Sequence, residues 1–388
     1  MRRIVSVTTV AVLGLAMASV AASRVVASMP ASNWIVDTAT LPPAVAPTDD
    51  SISLIRGIAH RADLVMKDGE IEVELGPPAG GFAGLAFRMA STADYEIIYF
   101  RPSDDGKRWG ALQYQPVFQG ETTWQLYDRA GYNAVIPPSE PAALRVRLVV
   151  SGTRADVYLQ DHTEPLVRIR ELKREAAAGG VGVWAASPTK VTTPTSFSHL
   201  RVRTGVATTL APVEAETAPP TQLLRWRVSP RQPSPDGITP PVTLPGELLG
   251  SVASWQIVDA EASGLINLTR ALGNPAGAQR TNVFGGAGWG LAVANATLRA
   301  DKARTVQLWF SYSDGLAIYL NRQRLFVGRN DSDSRFANYL GIVGEEVEAV
   351  DLPLRAGDNE LMLAITDKAF GWGFRARLSP RDGVQVMP

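Results

Sequence analysis

GLAFRMASTADYEIIYFRPSDDGKRWGALQYQPVFQGETTWQLY, residues 84–127, holds four short segments rich in aromatic and β-branched side chains: GLAFRM, DYEIIYFRP, WGALQYQP and TTWQLY. Turn-forming residues close each segment, as they do between successive antiparallel strands. In DYEIIYFR the side chains alternate, so Asp94 and Glu96 share one side and Tyr99 and Arg101 share the other. The segment therefore predicts a β-sheet.

The composition suits a turn-rich all-β protein and excludes several functions. The 388 residues include 34 glycines and 27 prolines, and the 38 basic residues balance the 38 acidic ones. This balance leaves no electrostatic footprint for a polyanion, so nucleic acid is not expected as a partner. The chain has no cysteine, which removes disulfides and thiolate-based sites. His60, His162 and His199 lie far apart, so a histidine metal site is not expected.

The first residues predict export. A positive start at residues 1–3 precedes an apolar run over residues 4–15, and small residues follow it. This pattern is typical of a signal peptide, which we place over residues 1–22. The alternative is an uncleaved membrane anchor, but the run is short for crossing a bilayer. We expect a periplasmic or extracellular protein with no transmembrane segment after cleavage.

Short strands separated by turns recur over residues 51–204 and again over residues 223–388. Residues 205–222 (GVATTLAPVEAETAPPTQ) read as a proline-containing linker, and residues 23–50 as a linker ahead of the first domain. Residues 169–178 (IRELKREAAA) carry good helix formers and allow one short helix before the glycines that follow. We predict an all-β protein of two β-sandwich (jelly-roll) domains joined by a Pro-rich linker.

Motifs in both domains resemble known families. In the second domain, residues 311–328 (SYSDGLAIYLNRQRLFVG) and 352–378 (LPLRAGDNELMLAITDKAFGWGFRARL) resemble galactose-binding-like jelly rolls, with a tight turn at NRQR. Many such modules bind sugars or accompany glycoside hydrolases, and others only brace a neighbour. The first domain resembles concanavalin A-like, laminin-G-type jelly rolls of the 3-keto-disaccharide hydrolase-like group, through GFAGLAFR (81–88), YEIIYFRP (95–102), ALQYQP (111–116), TTWQLY (122–127), LRVRLVVSGTRADVYL (144–159), GGVGVW (179–184) and FSHLRV (197–202). That group contains both binders and enzymes.

Sugar sites combine flat aromatic faces with amides, carboxylates and arginines that make planar hydrogen bonds. One strand face of the first domain is predicted to carry such polar groups, and Trp372 in the second domain, between two glycines, is either a sugar platform or a lid on the core. The alternative is that the aromatics are core and that Arg88 and Glu96 form a cross-strand pair. The candidate ligand residues of the first domain are Arg88, Glu96, Gln113, Gln125, Trp109, Trp124, Tyr127 and Tyr132.

Asp94 and Glu96 are the candidate catalytic residues. Two positions apart on one strand, their carboxylates would lie about 6 to 7 Å apart, which suits paired acid and base work. The strand lacks the third same-side acidic residue of jelly-roll glucanases, because Ile98 occupies that position. Solvated surface carboxylates are the alternative.

Asn330, Asp331 and Asp333 follow a predicted hairpin and offer oxygen ligands for a structural calcium ion. The spacing differs from an EF-hand, so side chains that bond their own turn backbone are the alternative. No other cofactor is expected.

Three functions remain open. The first is a secreted carbohydrate-binding or accessory protein, with a glycan as its partner. The second is a glycoside hydrolase, as the 3-keto-disaccharide hydrolase resemblance implies. The third is a structural module of the cell envelope that binds no sugar. The sequence does not identify protein partners.

Overall fold

The computed structural model describes residues 25–26, 34–37, 51–103, 105–187, 191–205, 209–234, 237, 239–240, 254–273 and 290–388. The signal peptide predicted over residues 1–22 lies outside these ranges. Within them, two one-turn helices, α1 (Trp124–Tyr127) and α2 (Leu268–Leu272), accompany the strands. The strands are β1 (Val25–Val26), β2 (Trp34–Asp37), β3 (Ser51–Leu54), β4 (Gly57–Met66), β5 (Gly69–Leu75), β6 (Phe82–Ser91), β7 (Asp94–Pro102), β8 (Trp109–Phe118), β9 (Glu121–Thr122), β10 (Asn133–Val135), β11 (Leu144–Ser151), β12 (Arg154–Leu159), β13 (Val167–Ile169), β14 (Gly179–Ala186), β15 (Thr195–Thr204), β16 (Arg225–Val228), β17 (Gln232–Pro233), β18 (Gln256–Asp259), β19 (Ile266–Asn267), β20 (Gly290–Ala300), β21 (Arg304–Ser313), β22 (Gly315–Leu320), β23 (Gln323–Arg329), β24 (Glu348–Leu354), β25 (Gly357–Asp367), β26 (Gly373–Ser379) and β27 (Val384–Met387).

Two sheets form the first sandwich. Sheet I has the order β1-β15-β5-β11-β12-β13, with β3 also pairing β15, and sheet II has the order β10-β8-β7-β6-β14-β4-β2, with β9 also pairing β8. Their strand pairs are antiparallel. The hydrophobic core lies between the two sheets and contains side chains from both.

Strand β7 shows how the period of two builds both faces of sheet II. Ile98 and Phe100 point into the core between the sheets, whereas Tyr95, Ile97 and Tyr99 belong to a separate apolar cluster on the outer face. The predicted alternation is therefore confirmed, and it gives sheet II an aromatic outer face.

Two further sheets form the second sandwich. Sheet III has the order β18-β16-β20-β25-β22-β23, with β17 and β27 also pairing β20, and sheet IV has the order β19-β26-β21-β24. Both contribute to one core. The predicted turn between β22 and β23 is confirmed, because Asn321 and Arg322 adopt positive φ values of 50° and 69°, as a two-residue hairpin of this kind requires. The protein is thus all-β and built from two sandwiches.

Two local predictions are wrong. The segment TTWQLY, expected as a strand, leaves the sheet after β9 and forms α1, where the Gln125 backbone N–H donates to the carbonyl of Phe370 in the second sandwich at 3.1 Å. Residues 170–178 form no helix. Instead, the backbone N–H groups of Lys173 and Arg174 donate to the Tyr114 hydroxyl and the Glu96 carboxylate. Tertiary hydrogen bonds override the local preference in both cases.

Both linker segments make contacts with the sandwiches. From residues 23–50, β1 pairs with β15 and β2 pairs with β4, so described parts of this segment extend the first sandwich. In residues 205–222, the carboxylate of Glu216 accepts from Arg129 at 3.0 and 3.2 Å and from the Tyr132 hydroxyl at 3.1 Å. The second linker is therefore tied to the first sandwich.

A buried ionic cluster joins the two sandwiches. The Lys173 side chain is only 2% exposed, and its ammonium lies 2.6 Å from Glu171, 3.6 Å from Glu216 and 3.2 Å from Glu261. Burial by itself lowers the pKa of Lys173, but the nearby acidic groups outweigh burial and leave that pKa raised. Glu261 also accepts from the Tyr127 hydroxyl at 2.5 Å. One cation thus holds carboxylates from the first sandwich, the linker and the second sandwich.

Candidate functional site

An aromatic pocket opens on the outer face of sheet II, where the second sandwich meets the first. Its volume is about 280 Å³. Most of the lining comes from β6, β7, β8, β14 and the segment β9–α1, and the rest from two loops of the second sandwich. The described lining residues, which we call the aromatic pocket, are Phe82, Tyr99, Arg101, Gln115, Thr122, Trp124, Trp184, Ala186, Leu340 and Phe370.

Strand register sets the floor of the pocket. Tyr99 in β7 lies opposite Gly84 in β6, and Gly84 lies opposite Trp184 in β14. A Cβ atom on Gly84 would come within 2.8 Å of the Tyr99 Cβ, so glycine here leaves room for the two rings to meet. Tyr99 and Trp184 make an edge contact with centroids 5.7 Å apart, and Phe82 meets Tyr99 at 6.1 Å. The floor is therefore a packed set of aromatic rings.

The other side of the pocket is formed by Trp124 in α1. Its ring is half-buried and lies 5.5 Å from the ring of Phe370, between centroids. The Arg101 guanidinium lies 5.6 Å from the ring centroids of both Trp124 and Tyr99. These contacts place one cation between two aromatic rings at the pocket surface.

Buried amides hold the aromatic residues in place. The Tyr99 hydroxyl donates to Gln113 Oε1 at 2.8 Å, and Gln113 Nε2 donates to the Trp124 carbonyl at 2.9 Å. Gln115 Oε1 accepts from the Thr123 backbone N–H at 2.9 Å and so fixes the turn that leads into α1. Burial raises the pKa of Tyr99 to about 12, so this hydroxyl keeps its proton at neutral pH.

Gln125 attaches the second sandwich to the pocket. Its side chain is fully buried; Nε2 donates to the Leu340 carbonyl at 2.7 Å, and Oε1 accepts from the Ser313 hydroxyl at 3.1 Å. Its backbone N–H and C=O bond to Phe370 and Val343. Leu340 and Phe370, which line the pocket, are thus both positioned by one glutamine of α1.

The structure brings one predicted ligand residue, Trp124, to the pocket, and it places Gln113 beside the floor, hydrogen-bonded to Tyr99. The Arg88 guanidinium is instead turned toward the adjacent turns, donating to the Lys67 and Gly152 carbonyls and to Asp68. The remaining aromatics are at most 1% exposed and belong to the cores, which corrects their prediction as ligand platforms: Trp109, Tyr127, Tyr132 and Trp372.

Sequence reasoning did not identify most of the pocket. The period of two puts Tyr99 and Arg101 on the same side of β7, opposite Glu96. This alternation is the sequence signal that groups the two pocket residues. Leu340 and Phe370 lie more than 200 residues along the chain from β7. No sequence signal indicates that they join the same site.

Asp94 and Glu96 do not form a catalytic pair in the pocket. Glu96 lies on the core side of sheet II and is fully buried, accepting from the Tyr114 hydroxyl and, at 2.9 Å, from the Arg174 backbone N–H. Burial raises the pKa of Glu96. Asp94 accepts from Arg174 at 3.2 Å near the surface. The prediction that these two carboxylates act together is corrected, because the same-side alternation points Glu96 away from the pocket.

The side-chain oxygens predicted to bind calcium make hydrogen bonds and ion pairs within the protein. Asn330 Oδ1 accepts from the Tyr339 hydroxyl, and Asp331 bridges Arg329 and Lys368 at 3.1 Å each. Asp333 Oδ1 accepts from a backbone N–H five residues later, at 2.8 Å. Among the residues that the structure describes, no group of three histidine, cysteine or acidic side chains is arranged to hold a metal ion. The Asp333 contact matches the turn interpretation, whereas the Asn330 and Asp331 oxygens bond side chains.

In the described part of the chain, none of the helices has the length and apolar character needed to cross a membrane.

No protein-family model matches the sequence, and no curated protein does either. Among solved structures, the chain is similar to a family 66 carbohydrate-binding module from Bacillus subtilis, at 12% identity over 43% of this chain and 93% of the module, with a TM-score of 0.28. It is also similar to a Bacillus licheniformis β-glucanase, at 11% identity over 45% of this chain and 92% of the glucanase, with a TM-score of 0.32. A third is a family 35 carbohydrate-binding module from an environmental isolate, at 17% identity over 24% of this chain and 69% of that module, with a TM-score of 0.17.

Strand pairing and the pocket together define the class of molecule. It is an all-β protein of two sandwiches that carries an aromatic, arginine-containing pocket where they meet.

Proposed function

We propose that the protein is an exported carbohydrate-binding protein and that its ligand occupies the aromatic pocket. The observation that carries this proposal is the lining itself, in which aromatic rings converge with one guanidinium and one amide in a single cavity. The concanavalin A-like and galactose-binding-like groupings of the two sandwiches are part of the same proposal.

The chemistry of the lining suits a sugar. The apolar faces of a pyranose ring pack on flat aromatic rings, while its hydroxyl pairs take hydrogen bonds from planar groups such as guanidinium and amide. Trp124 and Phe370 are half-buried and so present ring surface to a ligand. The volume of about 280 Å³ lies just below the roughly 300 to 1,000 Å³ typical of small-molecule sites. A short sugar or the end of a longer glycan fits better than an extended chain.

Recognition is favoured over hydrolysis by the placement of the carboxylates. Glycoside hydrolysis usually needs two carboxyl groups about 5 to 9 Å apart across the scissile bond. The described lining of the pocket consists of aromatic, aliphatic, amide, hydroxyl and guanidinium groups, and Glu96 serves the opposite face of β7. An accessory role, delivering or retaining a glycan, follows from this arrangement.

A glycan array probed with the mature protein tests the proposal, with binding constants then measured for the best ligand. We expect Trp124→Ala to weaken binding by about 10-fold to 30-fold, because one ring face of roughly 60 to 80 Å² at about 25 cal/mol/Å² corresponds to about 1.5 to 2 kcal/mol. Trp309→Ala is the matched control, since Trp309 is a half-buried tryptophan of sheet IV that lies outside the pocket.

Two results would refute the proposal: no binding to any glycan on the array, or binding that Trp124→Ala and Trp309→Ala change equally. Turnover of a bound glycan would move the assignment to the hydrolase alternative. Sequencing the amino terminus of the secreted protein tests export, and a mature protein that retains residues 1–22 would contradict it.

A further inference from the structure

We propose that the aromatic pocket selects an acidic sugar, and that the Arg101 guanidinium binds the carboxylate of a uronic acid residue. This inference rests on the proposed function and names the class of ligand that the pocket takes.

The first observation is the charge of the pocket. Arg101 is the one charged side chain among the described residues of the lining. The rest of that lining is apolar, apart from Gln115, Thr122 and the Tyr99 hydroxyl. A cation at the surface of a largely apolar cavity attracts an anion, although Asp128, 3.5 Å from the guanidinium, offsets part of the charge.

The second observation is how Arg101 is held. Its guanidinium lies 5.6 Å from the centroids of Tyr99 and Trp124. Within the described residues its ion-pair partner is Asp128, at 3.5 Å, which is longer than a normal hydrogen bond of about 2.7 to 3.2 Å. The other Asp128 oxygen accepts from the amide of Asn133. Arg101 is thus oriented by two rings and only weakly paired.

Two other arginines of the first sandwich make closer contacts than Arg101 does. Arg88 donates to three acceptors at 2.5 to 3.0 Å, and Arg129 makes a two-pronged contact with Glu216 at 3.0 and 3.2 Å. Arg88 and Arg129 are thus held by close contacts to structural partners. Arg101 makes one ion-pair contact, at 3.5 Å, so its planar fork retains capacity for an incoming acceptor at the pocket surface.

A carboxylate matches that fork. Guanidinium binds a carboxylate with two parallel N–H···O bonds, a geometry that lysine cannot reproduce. A uronic acid carries its carboxylate on the pyranose ring, so one residue can place its apolar ring face against Trp124 and its carboxylate at Arg101. The aromatic and cationic parts of the pocket would then be used by the same sugar unit.

The test uses pairs of ligands that differ only in charge: uronic acid oligosaccharides and the same oligosaccharides after reduction of their carboxyl groups. Affinities are measured by calorimetry for the full chain and for Arg101→Gln and Arg101→Lys. We expect the wild-type protein to bind the acidic form at least 10-fold more tightly. Arg101→Gln should lower this preference to less than 2-fold while retaining affinity for the neutral form, and Arg101→Lys should retain part of the preference. Arg145→Gln is the control, because Arg145 is an exposed arginine paired with Asp161 on sheet I.

Each outcome separates this inference from the proposed function. If the wild-type protein binds neutral and acidic forms equally and Trp124→Ala weakens both, carbohydrate binding stands and acid selection is refuted. Failure to bind either form refutes acid selection, and carbohydrate binding then depends on the glycan-array result. A preference that survives in Arg101→Gln, or tighter binding of sulfated than of carboxylated sugars, overturns the assignment of Arg101 as a carboxylate ligand.

Discussion

Replacing Lys173 by methionine removes the cation from the cluster that joins the two sandwiches. The change keeps most of the volume of the side chain, so its main effect is electrostatic. Glu171 is 43% exposed and can be solvated, whereas Glu216 retains its contact with Arg129. Glu261 is only 9% exposed and would be left as a buried carboxylate without its ammonium partner.

The expected loss of stability follows from that single uncompensated charge. Removing one partner of a buried ion pair typically costs about 3 to 5 kcal/mol. Because Glu261 still accepts from the Tyr127 hydroxyl and lies near Asn267, we expect Lys173→Met to fall toward the lower end, at about 3 kcal/mol.

Urea unfolding monitored by tryptophan fluorescence measures this loss, and a double-mutant cycle assigns it. Glu261→Gln removes the charge but can still accept from Tyr127. The double variant Lys173→Met with Glu261→Gln should therefore recover at least half of the loss. If Lys173→Met changes the free energy of unfolding by less than 1 kcal/mol, or if the second substitution restores nothing, the cluster does not hold the sandwiches together as argued.

Three further predictions concern buried groups. Gln125→Leu should lower stability by about 1 to 3 kcal/mol. It should also weaken glycan binding, because the Leu340 carbonyl loses its hydrogen bond from Gln125. Unchanged binding in a folded variant would show that the loop containing Leu340 is positioned independently of Gln125. Burial raises the pKa of Asp314 to about 8 from its ordinary value of 3.8. Between these pH values the native protein holds a proton that the unfolded chain has released, so stability should fall as the pH rises from about 4 through 8. Thermal melts across that range should show a smaller fall for Asp314→Asn than for the wild type. Glu96→Ala should lower the free energy of unfolding by about 2 to 4 kcal/mol, because the Tyr114 hydroxyl and a backbone N–H lose their acceptor. Glu96→Gln should lower it by less. Loss of glycan affinity in a stably folded Glu96→Gln would contradict the structural role of this residue.

Features that depend only on neighbouring residues could be predicted from the sequence, whereas features that depend on distant parts of the fold could not. Alternation in DYEIIYFR correctly separated Ile98 from Tyr99, since adjacent side chains of a strand face opposite sides wherever the strand packs. The predicted ligand side of this strand, with Glu96, faces the core, and the aromatic pocket lies on the opposite side. A fully buried Glu96 cannot be told from an exposed one in a sequence, because its burial depends on Tyr114 and Arg174, which reach it from other parts of the fold.

Strand pattern, turns and the all-β class were determined by the sequence alone, because they arise from side-chain alternation and turn chemistry between near neighbours. Tertiary structure decided the site. Trp124 and Arg101 lie 23 residues apart, yet they meet across β7, β8 and α1. Leu340 and Phe370 reach them from the second sandwich, where Gln125 bonds to the backbone of both. A pocket between two sandwiches depends on long-range packing and on the hydrogen bonds that align the sandwiches, and neither leaves a periodic signal in the chain.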